Sequence, residues 1–174
     1  LKYGAVSDTT KLSTKAVQRA IDACAAAGGG RVVVPTGSYK IGSIFLKSNV
    51  HLYLECWATL YGSTKLEDYK SVETDYISLR TQQQTIQLIF ADKVSNVTID
   101  GYGTIDGQGR AFKKTAETDE GITRPHLFRF IQSQDITIRN ITLRNSGCWM
   151  QHYLACDRIK IDGVRVYNRS TRNN

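Results

Sequence analysis

Asp135-Ile136-Thr137-Ile138-Arg139-Asn140-Ile141-Thr142-Leu143-Arg144-Asn145 recurs 23 residues later as Arg158-Ile159-Lys160-Ile161-Asp162-Gly163-Val164-Arg165-Val166-Tyr167-Asn168. Apolar residues hold the same four places in both copies (Ile136/Ile159, Ile138/Ile161, Ile141/Val164, Leu143/Val166), at intervals of two, three and two. An interval of two is a strand with one apolar face, and the single interval of three is a change of phase. The chain therefore bends between two short strands while both apolar rows stay inside. Upstream, Leu127-Phe128-Arg129-Phe130 matches Met150-Gln151-His152-Tyr153 at the same offset, which supplies a third strand per unit. An earlier unit, Leu88-Ile89-Phe90 with Val97-Thr98-Ile99, matches at an offset of 39, one repeat plus an insertion of about 16 residues within 107–124. Val50-His51-Leu52-Tyr53-Leu54 lies 47 residues before Val97, close to two repeats.

Three short strands per 23 residues, with apolar rows inward and Asn or Gly at the bends, describe one coil of a solenoid. The expected fold is all-β, a right-handed parallel β-helix with an N-terminal capping α-helix. Asn residues at one bend of successive coils are expected to stack as a ladder, and Asn145 and Asn168 hold equivalent places. Only one segment has helical period: Val17, Ala20, Ile21 and Cys24 share one face, Ser13 or Thr14 can cap its start, and Gly28-Gly29-Gly30 stops it. The spacing predicts a helix over about 14–27, within a cap of residues 1–30 that covers the first coil's open edge. Residues 31–174 are read as coils of one incomplete β-helix domain.

With 174 residues, 41% hydrophobic and 22% charged, the chain is long enough to bury a sizeable core. No stretch approaches a membrane span. The net charge is +7, and residues 136–174 carry seven basic side chains against Asp157 and Asp162. Such a field attracts polyanions. Nucleic acid is the least favoured of these, because aromatic residues are not interleaved with the basic ones and no helix offers a groove reader. Cys24, Cys56, Cys148 and Cys156 lack paired metal-site spacing and read as buried free thiols, with disulfides left open.

Ala16-Val17-Gln18-Arg19-Ala20-Ile21-Asp22, Gly28-Gly29-Gly30-Arg31-Val32-Val33-Val34-Pro35 and Gly37-Ser38-Tyr39 resemble the opening of pectate-lyase-like β-helices. Ile44-Phe45-Leu46-Lys47-Ser48-Asn49-Val50-His51-Leu52, Ala58-Thr59-Leu60 and Gly103-Thr104-Ile105-Asp106-Gly107-Gln108-Gly109 narrow this to a resemblance to polygalacturonases of glycoside hydrolase family 28. Arg124-Pro125, Asn145-Ser146 and Trp149 continue that pattern. The resemblance implies hydrolysis of α-1,4 bonds between galacturonates with inversion, by aspartates on an Asn-x-Asp motif and a following Asp-Asp pair. Asn173 and Asn174 look like the start of Asn-x-Asp, so those aspartates are expected just after Asn174. The resemblance thus implies the N-terminal part of a larger hydrolase, inactive as these 174 residues alone. An acidic polysaccharide such as pectin is the implied partner, with an extracellular or periplasmic location and no cofactor or metal.

The candidate substrate-binding residues are His152, Asn173, Arg129, Arg124, Trp149 and Arg172. His152 leads, because its counterpart one coil back is Arg129, so both belong to one outer face beneath the expected carboxylates. Outward His, Arg and Trp side chains contact sugar carboxylates and ring faces by charge-assisted hydrogen bonds and stacking. Loops 62–84 and 107–124 are candidate cleft walls, with His126 beside Arg124-Pro125 at the end of the second. Asp100 and Asp106, around a Gly-rich bend, read as caps of turn amides rather than as a catalytic pair. Two other readings stay open: hydrolysis of rhamnogalacturonan or another pectic glycan, and a non-catalytic glycan-binding or tailspike-like solenoid.

Overall fold

The structure is a computed structural model that describes residues 2–76, 85–112 and 123–169. Among the described residues, helix α1 (Thr14–Ala26) is followed by fourteen strands, all of whose ladders are parallel. They form three sheets. Sheet I stacks β1 (Gly30–Val34), β4 (Val50–Leu54), β7 (Ser95–Gly101), β10 (Gln134–Arg139) and β13 (Asp157–Asp162). Sheet II stacks β2 (Gly37–Ile41), β5 (Ala58–Gly62), β8 (Thr104–Asp106), β11 (Thr142–Arg144) and β14 (Arg165–Tyr167). Sheet III stacks β3 (Ile44–Phe45), β6 (Gln87–Asp92), β9 (His126–Ile131) and β12 (Gln151–Leu154). The chain visits the sheets in the order I, II, III and then steps up one coil, which is a right-handed parallel β-helix.

The registers follow the sequence offsets. Ile136 pairs with Ile159 and Ile138 with Ile161 in sheet I, while Leu143 pairs with Val166 in sheet II. Phe128 pairs with Gln151 in sheet III. The 39-residue offset aligns Val97 with Ile136 and Ile89 with Phe128. Each inward row runs through one buried core, for example Val32, Leu52, Ile99 and Ile138 along sheet I. The last coil leaves its row open: Ile159, Ile161 and Val166 are 36%, 49% and 50% exposed, against 0% for Ile136, Ile138 and Leu143 beneath them.

Bends between strands need left-handed backbone, and the sequence supplies residues that tolerate it. Asn49, Asn96, Asp135 and Arg158 stand at equivalent bends with φ of 62°, 55°, 55° and 51°. Asn96 Nδ2 donates to Asn49 Oδ1 at 2.9 Å, one rung of an Asn ladder at a different bend from the expected one, and two coils on the contact is an ion pair, Arg158 reaching Asp135 through Nε at 2.6 Å and Nη2 at 2.8 Å. Asn145 takes another partner, donating to the Asp106 carboxylate at 2.9 and 3.1 Å.

Helix α1 covers the first coil, with Ala16, Val17 and Ile21 buried against it. Ser13 holds the N-cap position but does not cap with its side chain. Its hydroxyl is already engaged with Val6, accepting from N at 3.1 Å and donating to O at 3.2 Å, which ties down the preceding segment. Gln18 closes the open edge of β3. Its Oε1 accepts from Phe45 N at 2.8 Å and its Nε2 donates to Phe45 O at 3.0 Å, as a neighbouring strand would. Replacing Gln18 with Ala removes both bonds and is expected to cost about 1–2 kcal/mol, measured as a lower urea midpoint at unchanged m-value.

The four thiols are free, but Cys148 alone is buried; Cys24 and Cys156 are half-buried and Cys56 is exposed. Cys56 falls on the outward bend after β4, where neighbouring apolar residues in sequence do not imply neighbours in space.

Candidate active-site face

Both long insertions leave the solenoid at the same corner, between sheets II and III: the chain from β5 to β6 and the chain from β8 to β9. The described part of the first bears on the outer surface of sheet III, where Lys70 O and Val72 O meet Gln87 and Arg129. Side-chain alternation puts Ile89 and Phe128 in the bore, so Phe90 and Arg129, one residue on, face outward. Phe45, Phe90, Arg129 and His152 are successive register partners and form one outward column.

This column faces outward but is covered, which differs from the solvent-facing surface expected from sequence. Arg129 and His152 are both buried. Arg129 Nη1 donates to Val72 O at 2.9 Å, a carbonyl of the first insertion, and to Gln87 Oε1 at 3.4 Å. Its guanidinium carbon lies 5.5 Å from the Phe90 ring centroid, within cation–π range. The insertion is fastened by Gln87 Nε2 donating to Lys70 O at 3.1 Å, Lys70 N donating to Ser43 Oγ at 2.8 Å, and Tyr69 Oη donating to Ser63 O at 2.7 Å.

His126, Trp149 and His152 form an aromatic cluster at the last rung of the column, with ring centroids 5.4 Å (His126–Trp149), 5.6 Å (His126–His152) and 4.9 Å (Trp149–His152) apart. His126 is fully buried, and its Nδ1 accepts from Trp149 N at 3.2 Å, so the neutral ring carries its proton on Nε2. Burial, then the field of His152, Arg129 and Arg124, lowers the His126 pKa to about 3. Burial and Arg129 lower that of His152 to about 4. His126 Nε2, His152 Nδ1 and Arg129 Nε are buried polar atoms without a hydrogen-bond partner. Trp149 is half-buried. Arg124 is buried too, with Nη1 3.4 Å from Gly147 O, so it is packed behind the cluster rather than standing as a free wall. Asn173 and Arg172 lie outside the described residues.

Two side chains of this face carried no signal in the sequence reading. Gln87 links the first insertion to Arg129, and Asp92 follows Phe90 on the same outward face; burial raises the Asp92 carboxyl pKa against the pull of Lys93 and Arg129. Asp92 stands opposite Ile131 at the 39-residue offset, so the repeat placed it but gave no hint of its neighbours.

Asp100 and Asp106 do cap turn amides, and they lie on sheets I and II, away from the His152 column. Asp100 accepts from Gly101 N at 2.6 Å and from Arg139 Nε and Nη2 at 2.9 and 2.7 Å. Burial pushes its carboxyl up, but the Arg139 and Gly101 bonds outweigh that and hold it below the usual range. Asp106 accepts from Gln108 N at 2.9 Å. Among the described residues no cluster of His, Cys, Asp and Glu could hold a metal ion, and no helix is long and apolar enough to cross a membrane.

The described residues thus form a parallel β-helix with two long insertions at one corner and an outward column that contains Phe90, Arg129 and His152. The family model "Glycosyl hydrolases family 28" matches residues 24–174, and the chain belongs to that family. It is 32% identical to a protein of Vitis vinifera named a probable polygalacturonase, over 94% of this chain and 35% of that one. It is 38% identical to an exo-poly-alpha-D-galacturonosidase of Dickeya chrysanthemi, over 74% of this chain and 22% of that one. Among solved structures it superposes on a family 28 exopolygalacturonase of Yersinia enterocolitica with a TM-score of 0.81 at 24% identity, over 96% of this chain and 38% of that one. The chain therefore spans about a third or less of the length of these relatives.

Proposed function

We propose that the full-length protein hydrolyses α-1,4-galacturonosidic bonds of a pectin-type acidic polysaccharide, with inversion, outside the cytoplasm, and that the outer face of sheet III is the floor of its substrate cleft. The observation that carries this reading is the in-register column of Arg129 and His152. One further 23-residue step from His152 falls on the position after Asn174, where the family resemblance puts the first aspartate. That carboxylate would then continue the column of Arg129 and His152.

Inverting hydrolysis needs a general acid on the leaving oxygen and a base on water, their carboxyls roughly 6.5–9.5 Å apart. This chain's part in it is to bind and orient. His152 is neutral above about pH 4 and offers a hydrogen bond without adding charge. Burial lowers the Arg129 pKa against the pull of Asp92, and its positive charge, which adds to burial in depressing both histidines, also draws in a galacturonate carboxylate. Trp149 offers an apolar edge for a sugar ring, and Arg172 is a further cationic candidate by sequence.

Release of reducing sugar from polygalacturonate by the full-length protein tests the reading, and no release from any uronate polymer rejects it. His152→Ala is expected to lower kcat/KM roughly ten- to hundredfold, and to lower Tm as well because the ring is buried against Trp149 and His126. Higher turnover on rhamnogalacturonan than on polygalacturonate would move the assignment to that neighbouring substrate.

A further inference from the structure

A second groove lies on a different face of the solenoid. Outward from sheet II run two columns of register partners: Ser38, Thr59, Thr104, Thr142 and Arg165, and beside them Lys40, Tyr61, Asp106, Arg144 and Tyr167. Rungs stand about 4.8 Å apart and the two columns about 7 Å apart, so this face offers hydroxyls, tyrosine rings and cations at regular intervals. A cavity of about 450 Å³ opens over the second column, walled by Arg110 and Arg169 from the corner loops. It adjoins a second hollow of about 640 Å³ that reaches Lys40 and shares Tyr61, Thr64 and Gln108 with it.

The groove has a surplus of positive charge. Arg110, Arg144 and Arg169 line the first hollow with Asp106 as its one carboxylate, and the second adds Lys40 and Asp8, which offset each other. Asp106 is already engaged, accepting from Gln108 N and from Asn145 Nδ2 at 2.9 Å each, while Arg144 Nε stands 4.0 Å away. Arg110 is held in place by its own backbone contact, Nε donating to Arg169 O at 3.0 Å, which leaves the outer edge of its guanidinium for a ligand. Among the described residues, no other carboxylate comes within ion-pair distance of these three arginines.

We propose that this groove is a second, non-catalytic binding site for an acidic oligosaccharide of uronate type. Carboxylates match the arginine forks, sugar hydroxyls match Thr64, Gln108 and the threonine column, and the Tyr61 ring offers an apolar surface for a pyranose. Because the groove lies on sheet II and the His152 column on sheet III, the site holds a polymer strand apart from the place of cleavage. The choice of a uronate rests on the proposed function; the anionic character rests on the groove alone.

The test is retention of the full-length protein in affinity electrophoresis through gels containing polygalacturonate, with gels containing neutral galactan or dextran sulfate as controls. Arg110→Ala combined with Arg144→Ala is expected to weaken retention by polygalacturonate about tenfold, to leave kcat on short soluble oligogalacturonates within about twofold, and to leave Tm in place. The milder Arg144→Gln single variant reads the same site should the double variant lower Tm. Unchanged retention of the variants overturns the proposal, as does an equal or larger loss of retention by dextran sulfate, which would mark a general polyanion surface. Loss of retention in a protein that cleaves no galacturonan upholds the groove and rejects the proposed activity. Cleavage with unaltered retention does the reverse.

Discussion

Acidification from about pH 6 to about pH 4.5 is expected to remove roughly 4 kcal/mol of folding stability, through two histidines alone. His126 and His152 are buried neutral, with pKa values lowered to about 3 and about 4 from an ordinary 6.5. Above pH 6.5 neither form of the chain protonates them and their contribution is complete. Below it the unfolded chain binds two protons that the native chain refuses, so stability falls by up to about 2.7 kcal/mol per pH unit until the native rings titrate near pH 4 and 3. The charged groups facing the pair share its sign: Arg129 opposes protonation of both rings, and His152 and Arg124 oppose that of His126.

Carboxylates act in other windows. Asp100, Asp135, Asp75 and Asp8 have lowered pKa values and lose their contributions only below the ordinary carboxylate range. Asp92, whose pKa is raised by burial, works in the opposite direction and softens the fall slightly. Urea midpoints measured from pH 7 to pH 4.5 check the slope. His126→Asn with His152→Gln should flatten it, because neither replacement titrates; an equally steep profile in that variant would assign the acid lability elsewhere. The loss matters because net stability is only about 5–15 kcal/mol for a folded domain.

Gly101→Ala is expected to cost at least about 3 kcal/mol, enough to put much of the protein in the insoluble fraction at 37 °C. Gly101 has φ +118°, outside the left-handed well that Asn and Asp tolerate, and an added Cβ would stand 1.9 Å from Leu54 O, 2.8 Å from its carbonyl carbon and 2.9 Å from its nitrogen. Those atoms belong to the next rung of sheet I, where Gly101 and Leu54 are register partners and Leu54 is fully buried, so neither side can withdraw. The corresponding corner one coil later is Asn140 at φ 57°, and the next is Gly163 at φ 60°. At Gly163 an added Cβ meets the end of the Asn140 side chain, at 2.7 Å from Oδ1, which can rotate away. Gly163→Asn should therefore cost no more than about 1 kcal/mol, while the same substitution at Gly101 should be as damaging as Ala. Thermal midpoints of the pair of variants check the contrast.

That contrast marks how far sequence reading reaches. The bends at residues 140 and 163 were legible from the two-three-two spacing of the apolar residues and that at 101 from its Gly-rich stretch, and so were most strands around them. Whether a glycine there is required or merely tolerated was not, because that depends on the distance to the coil below. The capping helix was visible in its period. The work of Gln18 was not, since a side chain that completes another strand's ladder leaves no trace in local spacing.

The candidate site divides in the same way. The 23-residue offset alone put Arg129 and His152 in one column, and they are register partners. It could not show that the insertion after β5 lies over them, that His126 and Trp149 close in from the side, or that both histidines are thereby held neutral. Arg124, expected as an open wall, is packed behind the cluster for the same reason.

What the amino-acid sequence determined by itself is the winding: a repeat of strand length, with one apolar residue in two, can close its inward rows only by stacking coil on coil. Which outward residues become a site was decided by the tertiary structure. Outward positions have no period that constrains them, and their burial, partners and protonation come from chain segments far away in sequence that happen to leave the solenoid at one corner.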